Sequence, residues 1–253
     1  MSFRPVSVAF VCLFASSVFA QEGEQTLVVE RGPYHAVVER ISPYLNELGE
    51  VAAVTNQFVQ LENGLNYWDT ENEAWLEARE EIELIPGGAV ARYLQQQAVF
   101  SRDANDPKGA LSLIVHGQYE LRSSILALRY VDAATGKDAI IAVAKNGVGE
   151  LLVPNQVVYR DVLDGVRADL LFTVRRGSIE SDLVLRETPP DPTDFGLNPE
   201  TVLVEVITEF MAPPEPSKRQ TVLSSVDEPE LRGKVAQPDW IDEDLDFGLN
   251  QFI

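Results

Sequence analysis

The sequence predicts an all-β protein: antiparallel sheets with hairpins packed as a β-sandwich, of ordinary or enlarged (super-sandwich) size. Three observations carry that expectation. Apolar residues recur with a period of two through the second half of the chain, and Gly-containing turn signals separate the runs. The stretch with a helical period, Tyr34–Leu48, is interrupted by Pro43. Of the 253 residues, 45% are hydrophobic and 24% charged, which suffices for a core and excludes a disordered or collagen-like chain.

Residues 1–20, MSFRPVSVAFVCLFASSVFA, read as a signal peptide. Arg4 precedes an apolar run from Val6 to Phe14, and Val18 and Ala20 take the −3 and −1 positions of a cut after Ala20. Cys12 is the single cysteine and lies in this leader, so the mature chain is expected to hold no disulfide and no thiolate site. Ala9-Phe10-Val11 before it is a poor lipoprotein box. No later segment reaches the roughly 18 apolar residues of a membrane span.

Residues 21–33 are polar and expected to be loose. A strand is expected at Ala36–Ile41, closed by a turn at Ser42-Pro43; a helix over Tyr34–Leu48 would lose about 3 kcal/mol at Pro43. Glu62-Asn63-Gly64 marks a turn, and Trp68 to Trp75 reads as a hairpin tip with a tryptophan near each end. Ile82 and Leu84 before Pro86-Gly87-Gly88 suit a strand entering a turn, and Ser101–Gly109 reads as a polar loop. Leu111, Leu113 and Val115 alternate with Ser112, Ile114 and His116. Ile125–Val131 and Ala139–Ala144 flank a hairpin loop at Asp132–Lys137. A two-residue turn at Arg176-Gly177 makes cross-strand partners sum to 353. Val174 then faces Ile179, Phe172 faces Ser181, Leu170 faces Leu183, and Ala168 faces Leu185; Arg175 comes diagonally near Glu180.

Seven of the fifteen prolines fall between Pro189 and Pro216. Thr201–Phe210 is a β-rich strand with both faces partly apolar, and Ala212–Gln220 reads as an exposed connector. The expected organisation is a leader (1–20), a loose segment (21–33), a β-rich domain (34–211), a Pro- and charge-rich connector (212–238), and a terminal or truncated strand (239–253).

The stretch Tyr159-Arg160-Asp161-Val162 … Asp164-Gly165-Val166-Arg167-Ala168-Asp169-Leu170 … Gly177-Ser178-Ile179-Glu180-Ser181-Asp182 resembles a signature of large secreted bacterial surface proteins. In these, from verrucomicrobia-like bacteria, a β-rich N-terminal module precedes repeat arrays. Here Leu163-Asp164 replaces the signature's aromatic residue, and an extra Ala168 precedes Asp169. Asn66-Tyr67, Asn155–Tyr159, Phe195–Pro199 and Leu245–Gly248 extend the likeness over residues 33–253. The resemblance implies a fragment of a longer exported chain, with other domains of that parent or surface proteins as partners. It implies no activity.

Twenty Lys+Arg stand against forty Asp+Glu, a formal charge of −20. A field of that sign argues against nucleic acid and anionic membranes as partners. No phosphate loop, no Gly-x-Ser-x-Gly and no His-rich zinc pattern is present, and the two histidines, His35 and His116, lie far apart. No cofactor, metal ligand or catalytic residue is expected. Glu180 and Asp182, about 7 Å apart at Cα on one strand face, are compatible with a glycosidase pair, but a charged solvent face beside Arg175 and Arg176 is the simpler reading. The acidic cluster Asp242–Asp246 lacks a calcium-loop pattern and reads as a solvated segment. Tyr67, Trp68 and Trp75 are the candidate ligand-binding residues, as an aromatic platform for polysaccharide; packing is their simpler role. The expected function is a non-catalytic structural or interaction module. The alternatives are a carbohydrate-binding module on those three aromatics and a remnant of a polysaccharide-active enzyme.

Overall fold

A computed structural model of the chain describes residues 24–115, 119–223 and 240–247. The leader, Cys12, His116, most of the C-terminal connector and residues 248–253 lie outside the described residues. The chain divides into two compact units. One holds the chain to Arg31 with Ala36–Gln60, the other Gly32–His35 with Leu61 onward.

The first unit is a three-stranded sheet of β1 (Gln25–Arg31), β2 (His35–Leu45) and β3 (Val51–Leu61), in that order. The turn expected at Ser42-Pro43 is instead strand: β2 runs on to Leu45, past the end of its β1 pairing at Ile41, with β3 on its other side. Pro43 lies past that pairing, so its missing N–H breaks no bond of the β1 ladder.

The second unit opens with a hairpin, β4 (Asn66–Asp69) and β5 (Ala74–Glu77). Then follow β6 (Glu83–Ile85), β7 (Gly88–Ala91), β8 (Gln96–Ser101), β9 (Leu111–Val115), β10 (Tyr119–Asp132) and β11 (Asp138–Ala144). Next are β12 (Gly149–Val153), β13 (Gln156–Tyr159), β14 (Leu163–Asp164), β15 (Ala168–Val174), β16 (Ile179–Leu185) and β17 (Val202–Met211). A ribbon of β18 (Ser217–Leu223) and β19 (Trp240–Asp246) ends the described chain. The single helical turn among the described residues is a 3-10 turn at Pro192–Phe195. The all-β sandwich-like fold read from the sequence is what forms.

Strands β14-β11-β10-β9-β8-β7-β6 make one sheet, with β17 on the far side of β10. Strands β12-β13-β15-β16 make the second. All these pairings are antiparallel. The long β10 serves two neighbours on one edge, β9 along Tyr119–Ser123 and β11 along Ala127–Val131. At the handover Ser124 is buried, and its Oγ accepts the Ala110 N–H at 2.8 Å, replacing a ladder bond.

The two sheets meet through Phe100, Tyr159 and Phe172. Phe100 on β8 sits 5.5 Å from Phe172 on β15, and Tyr159 on β13 stands edge-on to Phe172 at 6.0 Å. The Tyr159 hydroxyl donates to the Ser101 carbonyl at 2.5 Å, tying β13 to β8. Leu128, Leu163, Leu170 and Val174 fill the same core. The β15–β16 register is the expected one, with Ala168 opposite Leu185 and Val174 opposite Ile179.

The proline-rich stretch after β16 is packed. The Tyr130 hydroxyl donates to the Pro190 carbonyl at 2.6 Å, and Phe195 lies edge-on to Tyr130 at 6.0 Å. The connector expected from Ala212 contains a strand, β18, whose partner is the acidic segment. Lys218 Nζ reaches Glu243 at 2.7 Å, and Arg219 reaches Asp244 at 3.6 Å. Opposite charges facing across the ladder bring this polar ribbon together.

Candidate functional site

The three aromatics expected as a platform do not share a face. Tyr67 and Trp68 are neighbours on β4, so the pleat turns them to opposite sides. Tyr67 is buried, with its ring 5.5 Å from Tyr93 and nearly perpendicular to it. Trp68 is 45% exposed and sits directly opposite Trp75 across the hairpin. The two indoles meet at 5.4 Å and 67°, an edge-to-face pair rather than two coplanar stacking surfaces. Asn66, fully buried beside them, donates from Nδ2 to the carbonyls of Gly32 at 2.8 Å and His35 at 3.0 Å. That amide clamps the Gly32–His35 turn.

Glu180 and Asp182 project from one face of β16, and both are exposed. Arg175 Nε stands 3.8 Å from Glu180, the diagonal contact expected from the register. Arg175 also reaches Glu80 at 3.8 Å. Glu180 and Asp182 thus stand on an exposed strand face beside Arg175, the simpler reading of the sequence.

The buried carboxylates lie elsewhere. Among the described residues, the buried charged side chains are Asp132 and Asp169. Asp169 sits on β15. Its Oδ2 accepts from Arg186 Nε at 2.8 Å and Nη2 at 2.6 Å, and Arg160 Nη1 stands at 3.5 Å. Its Oδ1 accepts the Asp161 backbone N–H at 2.9 Å. Burial pushes this carboxyl upward, but the Asp161 N–H and the Arg186 guanidinium outweigh it and hold the group below its ordinary value. Gly165 allows the turn before it: its φ is +112°, and a Cβ there would meet the Ile141 carbonyl oxygen at 2.6 Å. Arg167 pairs with Glu187 at 2.7 Å on the adjacent rim.

Asp132 closes the β10–β11 hairpin. It accepts from the hydroxyls of Thr201 at 2.7 Å and Thr135 at 2.8 Å, and from the Ala134 N–H at 3.0 Å. The Thr201 and Thr135 bonds lower its affinity for a proton. Both buried acids thus accept hydrogen bonds on both oxygens from groups of the fold.

A cavity of about 310 Å³ opens between the β6–β7 hairpin and β12. Leu84, Gly88, Phe100, Arg102, Gly149 and Leu151 are among its lining residues. None of Tyr67, Trp68, Trp75, Glu180 or Asp182 lines it. The volume is at the lower end for small-ligand sites, and the wall carries Arg102 and Glu150 beside its apolar groups. Sequence reading missed this cavity because its wall comes from three separate turns; the Gly87-Gly88 and Gly147-Val148-Gly149 signals marked only the turns.

Among the described residues, no group of three or more His, Cys, Asp or Glu is placed to hold a metal ion. Glu243 and Asp244 of the acidic cluster are occupied by Lys218 and Arg219. No helix among the described residues is long and apolar enough to cross a membrane. Comparison with protein-family models, with curated proteins and with solved structures finds no match to the chain.

Proposed function

We propose that the chain is a non-catalytic structural or interaction module of an exported bacterial protein, secreted or displayed at the cell surface, and part of a longer polypeptide. The observation that supports this reading best is the commitment of Asp132 and Asp169 to holding the fold. Enzymes keep perturbed ionisable groups facing a cleft, where they can exchange protons with substrate. Here the sandwich buries Asp132 and Asp169 as fasteners and leaves apolar strand surface outside, including Leu203, Val204 and Val206 at 43%, 48% and 44% exposure. Exposed apolar strand surface is what an interaction module offers to neighbouring domains or surface proteins.

The experiment is expression of the whole gene in a bacterial host, with mass spectrometry of the product's N-terminus and protease treatment of intact cells. The product should begin at Gln21 and be cut from outside or recovered from the medium. A product that keeps Met1 and stays in the cytoplasm overturns the export half of the reading. A glycan turnover that falls about a hundredfold in Glu180→Gln overturns the non-catalytic half.

A further inference from the structure

We propose that β17 is a self-association edge, across which two copies of this chain pair antiparallel about a two-fold axis at Val206. The inference rests on the reading of the chain as an interaction module and names one partner for it.

Strand β17 is ten residues long and pairs with β10 along its whole length. Its other edge has no strand partner among the described residues. The Ala133 N–H donates to the Thr201 carbonyl at 3.0 Å, which turns Thr201 toward β10. Alternation along the strand then turns Leu203, Glu205 and Ile207 toward β10 as well. The backbone N–H and C=O groups of Val204, Val206, Thr208 and Phe210 therefore point to the open edge. Natural edges are usually blunted by lysine, proline, a bulge or shortness. The stretch Val202–Met211, VLVEVITEFM, holds neither lysine nor proline, and the bulge of this pair lies on β10.

The side chains select the partner's register. A two-fold axis perpendicular to the sheet pairs residues whose numbers add to an even sum. A sum of 410 sets Glu205 against its own copy, 414 sets Glu205 against Glu209, and 418 sets Glu209 against its own copy. Like charges directly opposite destabilise a ladder. A sum of 412 avoids every such pair. It places Glu205 opposite Ile207, Leu203 opposite Glu209, Val204 opposite Thr208, and Val206 opposite Val206. It also engages Val202 through Phe210, the longest overlap free of facing glutamates. Glu205 also accepts from Arg129 of its own copy, whose Nε and Nη2 lie 3.0 and 2.8 Å from Oε2, but at 42% exposure it still presents a negative charge to a facing glutamate. Val204 and Val206 share the face of Tyr130 and Leu128, so pairing extends the apolar inner face into the second copy. A charge of −20 on each copy opposes approach, and salt screens that repulsion. The association should therefore tighten as ionic strength rises.

Sedimentation equilibrium of the full chain with Cys12→Ala, from low to high micromolar concentration in 0.05 and 0.5 M salt, tests this. A dimer that strengthens at least severalfold in high salt, and weakens at least tenfold in Val206→Lys, is expected. Single cysteines at 205, 206, 207 and 208 then read the register by oxidation. Opposed residues of a hydrogen-bonded pair sit about 5.5 Å apart at Cα, within disulfide reach. Val206→Cys should cross-link fastest. A monomer throughout, an unchanged dimer in Val206→Lys with native circular dichroism, or faster cross-linking at another position overturns the proposal. A monomer that is still exported and inert leaves the reading of an interaction module standing, so the two failures are distinguishable.

Discussion

Replacing Asp169 by asparagine isolates the fastener that ties β15 to Arg186 and to the Asp161 backbone. The substitution keeps shape and keeps an acceptor for the Asp161 N–H, but removes the charge facing Arg186 and Arg160. The Asp169 side chain is 7% exposed, whereas Arg186 and Arg160 are 50% and 52% exposed. A hydrogen bond to a charged group contributes about 1.5–3 kcal/mol, and breaking a fully buried ion pair costs about 3–5 kcal/mol. Half-exposed arginines recover hydration, so the expected loss lies near the lower range, about 2 kcal/mol. Urea unfolding at pH 7 should show a lower midpoint with an unchanged slope. The pH dependence supplies an independent signature. A carboxyl held below its ordinary value in the fold stabilises the fold above its unfolded value of about 3.9, and loses that contribution as pH falls through the folded value. The native chain should lose more stability than Asp169→Asn between pH 5 and pH 2, and the two curves should converge in acid. A loss under about 0.5 kcal/mol at pH 7, or parallel curves, would refute the fastener argument.

Two further substitutions probe backbone and core. Gly165→Ala combines φ +112° with a 2.6 Å approach to the Ile141 carbonyl oxygen and should cost upward of about 2 kcal/mol. Gly136→Ala, at φ +70° with open space around its Cβ, should cost only about 1 kcal/mol; equal losses in urea would show that the close approach is unimportant. Phe172→Ala empties the contact between the sheets and should cost about 3–5 kcal/mol, whereas a cost below 1 kcal/mol would mean that the sheets do not meet there.

The parts of the fold legible in the sequence are those set by neighbours along the chain. The β15–β16 register follows from one two-residue turn and a period of two, so a single sum placed every partner from Ala168 to Leu185. The Asp132–Lys137 loop was legible for the same reason. Tyr67, by contrast, was grouped with Trp68 through adjacency, although the same period puts adjacent strand residues on opposite faces. Of the ribbon, β18 lies in the stretch that reads as connector, because prolines and charges usually exclude strands, whereas β19 lies in the expected terminal strand. The signal for their pairing lay in the match between Lys218-Arg219 and Glu243-Asp244 across a long gap. Strand β10 extends well beyond Ile125–Val131 because β9, the strand just before it, pairs along Tyr119–Ser123, and β17, distant in sequence, pairs along Arg122–Asp132. Nothing local to Tyr119–Ser124 announces β17.

The acidity of the chain and the exposure of its strands are two sides of one physical arrangement. Forty acidic residues against twenty basic ones leave an excess that internal pairing cannot cancel. That excess keeps copies apart at low ionic strength, so strand edges need less local blunting. Apolar positions such as Val204 and Val206 can then stay exposed without indiscriminate pairing. The glutamates within β17 add selectivity to that repulsion. They penalise the registers in which they face one another and leave the one in which each meets an apolar side chain. Exchanging Glu205 and Glu209 for glutamine should therefore loosen the register, spreading disulfide capture from position 206 to 205 and 207, while strengthening total association. Capture confined to 206 in that double variant would show that backbone geometry alone selects the register and that the acids serve only solubility.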